Sequence, residues 1–506
     1  MSVVEIIERA AARFSTREFL TELRLGSAGQ SASLTYAEVY ERSLRLASGM
    51  ARAGLRPGDR LAVLMDNGAD MVTSEWACLL TGYLWVALNT RSSSAELEEV
   101  LADSRPAVLI VGSAYVGTVA AMSLPKSCRV VGAGAELEGL LGPAEPPYPS
   151  PGPEDPVRIR YTSGTSGRAK GAVLVRRCYD ASVATVRDVV GPVGPEARLL
   201  QVAPMTHASG AMLLPHAGQG ARAYLLDSFE AEPVAGLIES LSITSLFVVP
   251  TMLVRLLSTP GAVGRLAGLE TIVCGGASMP IDRLRAGLEM LGPVFVQIYG
   301  LTESTWPVAA LTRTEHQRRD AETEQAWLSR LASVGRSSGV GDIRIVDEED
   351  RDALPGAEGE IVVKGPNTMT GYWSSAGQDH KGLDADGWMH TGDIGRMDAE
   401  GYLTIVDRLD DMIITGGFNV YPREVEEALA SHPAVLESAV VGRSDSDWGQ
   451  RVHACVVLEA GRRVEPEALI AHAGSRLAGY KKPRSLEIVA ALPRNPAGKV
   501  LRRALR

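Results

Sequence analysis

Apolar and polar positions alternate with two different periods along the chain, and each period predicts an element. The opening MSVVEIIERAAARF sets acidic residues inside a helical apolar pattern. Thr35 and Glu38 form a capping box, after which Val39, Leu46 and Met50 mark a helical stripe that stops at Gly54. The run LAVLM follows the turn residues Gly58 and Asp59 and reads as a strand. Helix-then-apolar pairs recur through PAVLIV, RAYLLD, TSLFVV and ETIVCG. Such runs, short and apolar throughout, predict a largely parallel sheet covered by helices.

From about Ser333 the pattern becomes Gly-rich and β-like, and GEIVVKG, DGWMHTGDIG and GYLTIVD read as short antiparallel strands, like a small barrel appended to the sheet. Beyond Asp407 it changes again. Pro422 opens the helix REVEEALA; strands LESAVVG and HACVVLEA, a helix around Leu469 to Leu477 and a strand SLEIVAAL follow, a compact α+β body of about 100 residues. The joint near Arg408 to Asp411 reads as a short hinge without a low-complexity linker, and no internal repeat is present.

The chain has 506 residues, 45% of them hydrophobic and 22% charged, which predicts at least two packed domains. A net charge of -10 argues against nucleic acid or an anionic membrane as the main partner. The five cysteines, Cys78, Cys128, Cys178, Cys274 and Cys455, show no paired metal spacing and no disulfide framework. The start lacks the form of a signal peptide, and no apolar run reaches the roughly 18 residues needed to span a bilayer. A cytoplasmic protein is expected, and a homodimer stays open.

The densest chemistry lies in YTSGTSGRAKG, Tyr161 to Gly171. Gly164, Gly167 and Gly171 allow close backbone approach; the hydroxyls of Thr162, Ser163, Thr165 and Ser166 can donate to phosphate oxygens, and Lys170 adds positive charge. The stretch reads as a phosphate cradle, with a flexible surface loop as the alternative. Gly171 after the lysine and the glycine spacing disfavour an ordinary P-loop. Further segments follow in order: YGLTES (Tyr299 to Ser304), MHTGDIG with Asp393, DRLDDMIITGGFNVYPREVE (Asp407 to Glu426) and PRNPAGK ending at Lys499.

Together these motifs resemble the adenylate-forming superfamily: acyl-CoA synthetases, peptide-synthetase adenylation domains and firefly-type luciferases. The resemblance spans nearly the whole chain. It implies an α/β fold, with a large N-terminal domain (1–409) of stacked, mostly parallel sheets plus a small β-barrel, and a small mobile α+β C-terminal domain (410–506). It also implies ATP, Mg2+ and CoA. The loop with Lys170 would hold the β- and γ-phosphates, Thr302 would touch the α-phosphate, and Glu303 would bind Mg2+, for which one carboxylate suffices when phosphates supply other ligands. Adenine would lie between Gly275, Gly276, Ala277 and Ser278 on one side and Tyr299 on the other, with Gly300 bordering nucleotide and acyl group. Asp393 and Arg408 would bind the ribose hydroxyls. Lys499 would reach the substrate carboxylate and the α-phosphate, where anions meet and a mobile point charge helps most. Gly416 and Gly417 would leave a tunnel for a pantetheine arm, with Asp410 as the hinge residue. Outside this context Glu303 reads as a surface carboxylate, the glycine pairs as plain turns, and Lys499 as a tail lysine among Arg494, Arg502 and Arg503.

PMTHASG, Pro204 to Gly210, matches the segment lining the acyl pocket, with Thr206 where an aromatic often stands. His207, Ser209 and Gly210 are the pocket candidates; a packed core histidine is the alternative for His207. Ala208 to Met212 contains no carboxylate to pair with a substrate ammonium, which counts against an α-amino acid. The expected activity is therefore an acid:CoA ligase acting on an aromatic or medium-chain acid. The alternatives are the same machinery loading a carrier-protein phosphopantetheine or an amine, or activating nitrite for diazotisation, and a non-catalytic relative, against which Glu303, Asp393 and Lys499 stand.

Overall fold

The computed structural model describes every residue except 26–31, 163–168, 278, 375–376, 380–381, 417, 447 and 495–499, and the backbone alone at 162, 377–379 and 410. The chain packs as two compact units, the first comprising Met1–Met279, Ala286–Ile343 and Val363–Met389, the second Pro280–Arg285, Arg344–Val362 and His390–Arg506.

The first unit contains two large sheets. One has nine strands, in the order Arg336–Ser337, Ala309–Leu311, Phe295–Tyr299, Thr271–Gly275, Ser245–Val248, Arg198–Gln201, Arg222–Leu226, Glu18–Leu23 and Ser33–Thr35. Its central pairings are parallel and its edges antiparallel. The other has eight strands, with Arg60–Leu64, Leu84–Ala87, Val108–Val111 and Arg129–Gly132 running parallel. The runs LAVLM, PAVLIV, RAYLLD, TSLFVV and ETIVCG all fall on these strands. Thus the expected rhythm is met by two sheets.

Both sheets share one apolar core. Leu61 and Val63 point into it from the eight-stranded sheet and Leu199, Leu225, Phe247 and Val273 from the nine-stranded one; Ile7, Leu46, Met50 and Trp76 fill it from helices. The opposite face of the eight-stranded sheet, Ala62, Leu64, Leu109 and Val111, packs on Leu97 and Leu101 of helix Ser94–Ser104. A strand buried on both faces has no polar side to alternate with, which accounts for its unbroken apolar run. The helices start where their sequence says. Ser2 with Glu5, Thr35 with Glu38, and Ser93 with Glu96 each close a reciprocal capping box.

The second unit holds most of a four-stranded sheet, in the order Asp342–Val346, Gly359–Lys364, Met389–Met397 and Leu403–Arg408, and a five-stranded sheet around the long hairpin Val435–Asp445 and Gly449–Leu458. Helix Pro422–Ala430, with proline in its first turn, and helix Pro466–Gly474 supply Val425, Leu429 and Leu469 to its core. Among the described residues no helix is long and apolar enough to cross a membrane.

Candidate functional site

The hydroxyl-rich loop closes an antiparallel hairpin. Strands Pro156–Thr162 and Lys170–Val175 pair with Tyr161 opposite Gly171 and Thr162 opposite Lys170. A phosphate loop of the strand-to-helix type would follow one strand only, so the pairing agrees with the glycine spacing in setting that type aside. Ser163, Gly164, Thr165, Ser166 and Gly167 lie outside the described residues, as do Ser278, Gly417 and Lys499 and the side chains of Thr162 and Asp410. At Gly171 a Cβ would stand 2.7 Å from Ile159 Cγ2 and 3.0 Å from the Tyr161 ring, so the strand accepts only glycine there without displacement.

Lys170 and Glu303, far apart in sequence, meet on one aromatic ring. The ammonium of Lys170 sits 5.5 Å from the centroid of Tyr372, and the Tyr372 hydroxyl donates to Glu303 Oε1 at 3.1 Å. Tyr372 is brought there by the strand Tyr372–Ser374, whose Tyr372 pairs with Ala172, while the amide of Met369 donates to the Glu303 carbonyl at 2.7 Å. Burial, with the Glu303 charge, pushes the Tyr372 phenol far up, so it remains a donor. Burial and the Arg158 charge press Arg160 down to about 10, with Glu303 among the groups opposing this. Glu303 therefore shares the Tyr372 ring with Lys170 and lies within electrostatic reach of Arg160.

Gly275, Gly276, Ala277, Tyr299, Gly300 and Thr302 cluster at the carboxyl ends of two parallel neighbours, Thr271–Gly275 and Phe295–Tyr299, paired with Gly275 opposite Ile298. Ligands of open α/β sheets bind at such strand ends. A Cβ at Gly275 would lie 2.6 Å from Ile298 Cγ1 and one at Gly300 2.5 Å from Trp306 Cβ; Gly276 has φ +85°. These are steric reasons for glycine, beyond a plain turn.

Around the acyl segment, His207 Nδ1 lies 2.7 Å from Thr206 Oγ1. Ser209 is buried, its hydroxyl donating to the carbonyls of Ala203 and Pro204 at 2.9 Å each, and Gly210 packs so tightly that a Cβ would stand 2.4 Å from Met205 O. The segment is anchored from the first strand of that hairpin. Arg158 Nη2 donates to Thr206 O at 2.9 Å, its Nη1 to Tyr179 Oη at 2.8 Å and Glu75 Oε1 at 3.3 Å, and its guanidinium lies 4.3 Å from the Trp85 ring centroid.

In the second unit, Asp393 and Arg408 face each other across an antiparallel pair, with Arg408 Nε 3.0 Å from the nearly buried Asp393 Oδ1. Gly416 has φ +57°, and a Cβ there would meet the Trp448 ring at 2.5 Å. Arg502, which reads as a tail cation, instead donates from Nη2 to both oxygens of Glu426 at 2.8 Å.

Tyr372, Arg158, Arg160 and Arg502 all escape the sequence reading. For the two strand arginines a signal exists, since VRIRYT places charges at alternate positions of a run otherwise fit for a buried strand, where a cation needs partners. Tyr372 carries no local signal. Its role arises from strand pairing across about 200 residues of chain.

Sequence comparison matches residues 7–373 to the AMP-binding enzyme family and residues 424–499 to the AMP-binding enzyme C-terminal domain. Feruloyl-CoA synthase of an Amycolatopsis species is 37% identical over 482 residues, 94% of each chain. A fatty acid–[acyl-carrier-protein] ligase of Streptomyces coeruleorubidus is 33% identical over 486 residues, covering 94% of this chain and 91% of that protein. Among solved structures, the o-succinylbenzoate CoA synthetase of Bacillus subtilis in complex with its acyl-adenylate intermediate superposes with a TM-score of 0.83 at 29% identity, covering 99% of this chain and 98% of that one.

Proposed function

Because the chain belongs to the AMP-binding enzyme family, it is an ATP-dependent, AMP-forming ligase, and we propose that it converts an aromatic carboxylic acid to its acyl adenylate and passes the acyl group to the thiol of CoA. One observation carries the site assignment: Lys170 and Glu303 converge on Tyr372 from separate segments. Cation and carboxylate held on one ring suit a polyphosphate, the ammonium facing phosphate oxygens and the carboxylate offering a hard oxygen donor. Glu303 fits Mg2+ in donor chemistry, and the ion, when bound, neutralises phosphate charge.

In this proposal the loop from Thr162 to Lys170 cradles the β- and γ-phosphates, Thr302 meets the α-phosphate, and adenine rests between Gly275–Ser278 and Tyr299. Asp393 accepts from the ribose hydroxyls with Arg408 beside it, and Lys499 steadies the carboxylate as it attacks the α-phosphorus and pyrophosphate departs. His207, Ser209, Gly210 and Gly300 shape the acyl pocket. Thiol attack on the mixed anhydride then expels AMP, with Gly416 and Gly417 admitting the pantetheine arm. The division at 409/410 with Asp410 as hinge, and a cytoplasmic location, belong to the same reading. Support for an aromatic acid comes from the feruloyl-CoA synthase similarity, and for a carrier-protein acceptor from the acyl-carrier-protein ligase.

The test is a pyrophosphate-release screen over aryl, short, medium and long acids and nitrite, with and without CoA. Release with aryl acids, with CoA-dependent AMP formation, is the expected result. Turnover that needs a carrier protein or an amine in place of CoA would replace the acceptor, and nitrite-dependent release the substrate.

A further inference from the structure

A second cluster of chemically distinct donors lies in the second unit, and none of its residues is among those assigned to the nucleotide or acyl sites. His453 and Cys455 stand two apart on strand Gly449–Leu458, and Ser485 and Glu487 occupy the paired positions on the parallel strand Ser485–Ile488. The period of two puts all four side chains on one face. The ligand atoms of His453, Cys455 and Glu487 lie within 4.8 Å of one another. His453 and Cys455 are buried, while Glu487 is exposed.

We propose that His453 Nε2, Cys455 Sγ and a Glu487 carboxylate oxygen form a site for zinc or a similar borderline-soft divalent ion, water taking the fourth position, and that the ion clips the last strand to its neighbour. A tetrahedral zinc with usual Zn–S and Zn–N bonds separates sulfur from nitrogen by about 3.6 Å. Here Cys455 Sγ and His453 Nε2 are 3.5 Å apart. The other ring nitrogen is occupied: Nδ1 lies 2.8 Å from Ser485 Oγ, the kind of outer partner that fixes a ligating imidazole's tautomer and aim. On the other side of the long strand, Val441 and Ala439 oppose His453 and Cys455, so the paired positions there supply no rival donor. Leu492 and Leu505 join Ala439, Val441 and Cys455 in an apolar cluster on that side of the sheet.

The charges close. On binding, Cys455 releases its thiol proton to solvent, and thiolate and carboxylate balance the dication. Burial, then the nearby Arg443 charge, hold His453 down to about 4, which leaves the imidazole neutral at physiological pH. Burial raises the Cys455 thiol, and Arg443 acts in the opposite sense. Arg451 also faces His453, and Arg443 Nε is engaged with the Leu505 carbonyl at 3.1 Å. The paired-cysteine spacings that mark zinc sites in sequence are lacking here because the third ligand arrives by strand pairing.

The experiment titrates metal-stripped full-length protein with Zn2+ and with Co2+ while Mg2+ is held at assay level. The expected result is one ion per chain and a cobalt spectrum with a thiolate charge-transfer band. That band disappears in Cys455→Ser, affinity falls at least about 10-fold in the exposed variant Glu487→Gln and about 10-fold in Ser485→Ala, and Zn2+ raises the melting temperature of the wild type. Two results would overturn the site: no saturable binding at micromolar Zn2+, or a stoichiometry and spectrum indifferent to Cys455→Ser and Glu487→Gln. Either leaves only a hydrogen-bonded thiol and imidazole.

Discussion

The hydroxyl of Tyr372 donates to Glu303 Oε1 at 3.1 Å while the Lys170 ammonium rests 5.5 Å from the centre of the same ring. One phenol therefore sets the orientation of the carboxylate assigned to Mg2+ and offers a surface to the lysine assigned to phosphate.

Tyr372→Phe keeps the ring and deletes the donor. A hydrogen bond to a charged group contributes about 1.5–3 kcal/mol, so kcat/KM for adenylation should fall at least about 10-fold. The apparent Mg2+ requirement should rise with it, and any loss of thermal stability should stay within that hydrogen bond's contribution. Pyrophosphate-release kinetics across a Mg2+ series provide the check. Unchanged kinetics at all Mg2+ levels would remove Tyr372 from the site.

Lys499→Ala separates the two half-reactions. The lysine is assigned to the meeting of carboxylate and α-phosphate, a step absent from thioester formation. Pyrophosphate release should be abolished, whereas thioester formation from supplied acyl adenylate should remain largely intact. Equal loss of both halves refutes the role.

Local rules reach far into this fold. The capping boxes at Ser2 and Thr35, the proline-led helix at Pro422 and the apolar runs that became strands all depend on residues a few positions apart. The motifs also mark Glu303, Asp393 and Arg408, and the last two do meet across a strand pair. Partnerships made by distant strand pairing escape such rules: Tyr372 reaches Glu303 through its pairing with Ala172, and Glu487 reaches Cys455 through a parallel register. Arg502 shows the other failure. An arginine close to a chain end reads as solvated, and only three-dimensional packing reveals that it is ringed by carboxylates.

Two buried histidines should make the first unit acid-sensitive. His216 and His316 are held at about 4, by burial first, each with Nδ1 2.8 Å from a backbone carbonyl and with Nε2 unpartnered among the described residues. Their folded values lie below the unfolded value near 6.5, so the unfolded chain binds more protons between the two. Stability is full above about pH 6.5 and is lost as pH falls toward 4, at about 1.4 kcal/mol per pH unit for each histidine. In His316→Leu the Thr312 carbonyl keeps the residue-316 amide as donor, at 3.2 Å in the parent. Chemical denaturation from pH 4.5 to 7.5 should show the slope reduced by about one proton. An unaltered slope would show that His316 does not titrate on unfolding.

The Arg502 guanidinium holds three acidic groups of the second unit: Glu426 through both carboxylate oxygens at 2.8 Å, Asp411 at 3.0 Å and Asp407 at 3.8 Å. Burial pushes Glu426 and Asp407 upward, and the Arg502 charge works against it in both. Arg502→Met leaves these carboxylates crowded with no counter-charge from that side. Removing one partner of a buried pair costs about 3–5 kcal/mol; with Arg502 about one-fifth exposed (22%), the lower end is expected, read as a lower melting transition. The penalty should depend on pH with a definite sign. Carboxyls whose folded values are raised favour folding when protonated, so their contribution is present at low pH and lost as pH rises through the folded value. The gap between Arg502→Met and wild type should therefore be wider at pH 7.5 than at pH 5. Glu426→Gln added to Arg502→Met should recover part of the loss, and the double-mutant cycle measures the coupling. A penalty that is the same at both pH values and unaffected by Glu426→Gln would assign Arg502 a packing role, without the electrostatic one.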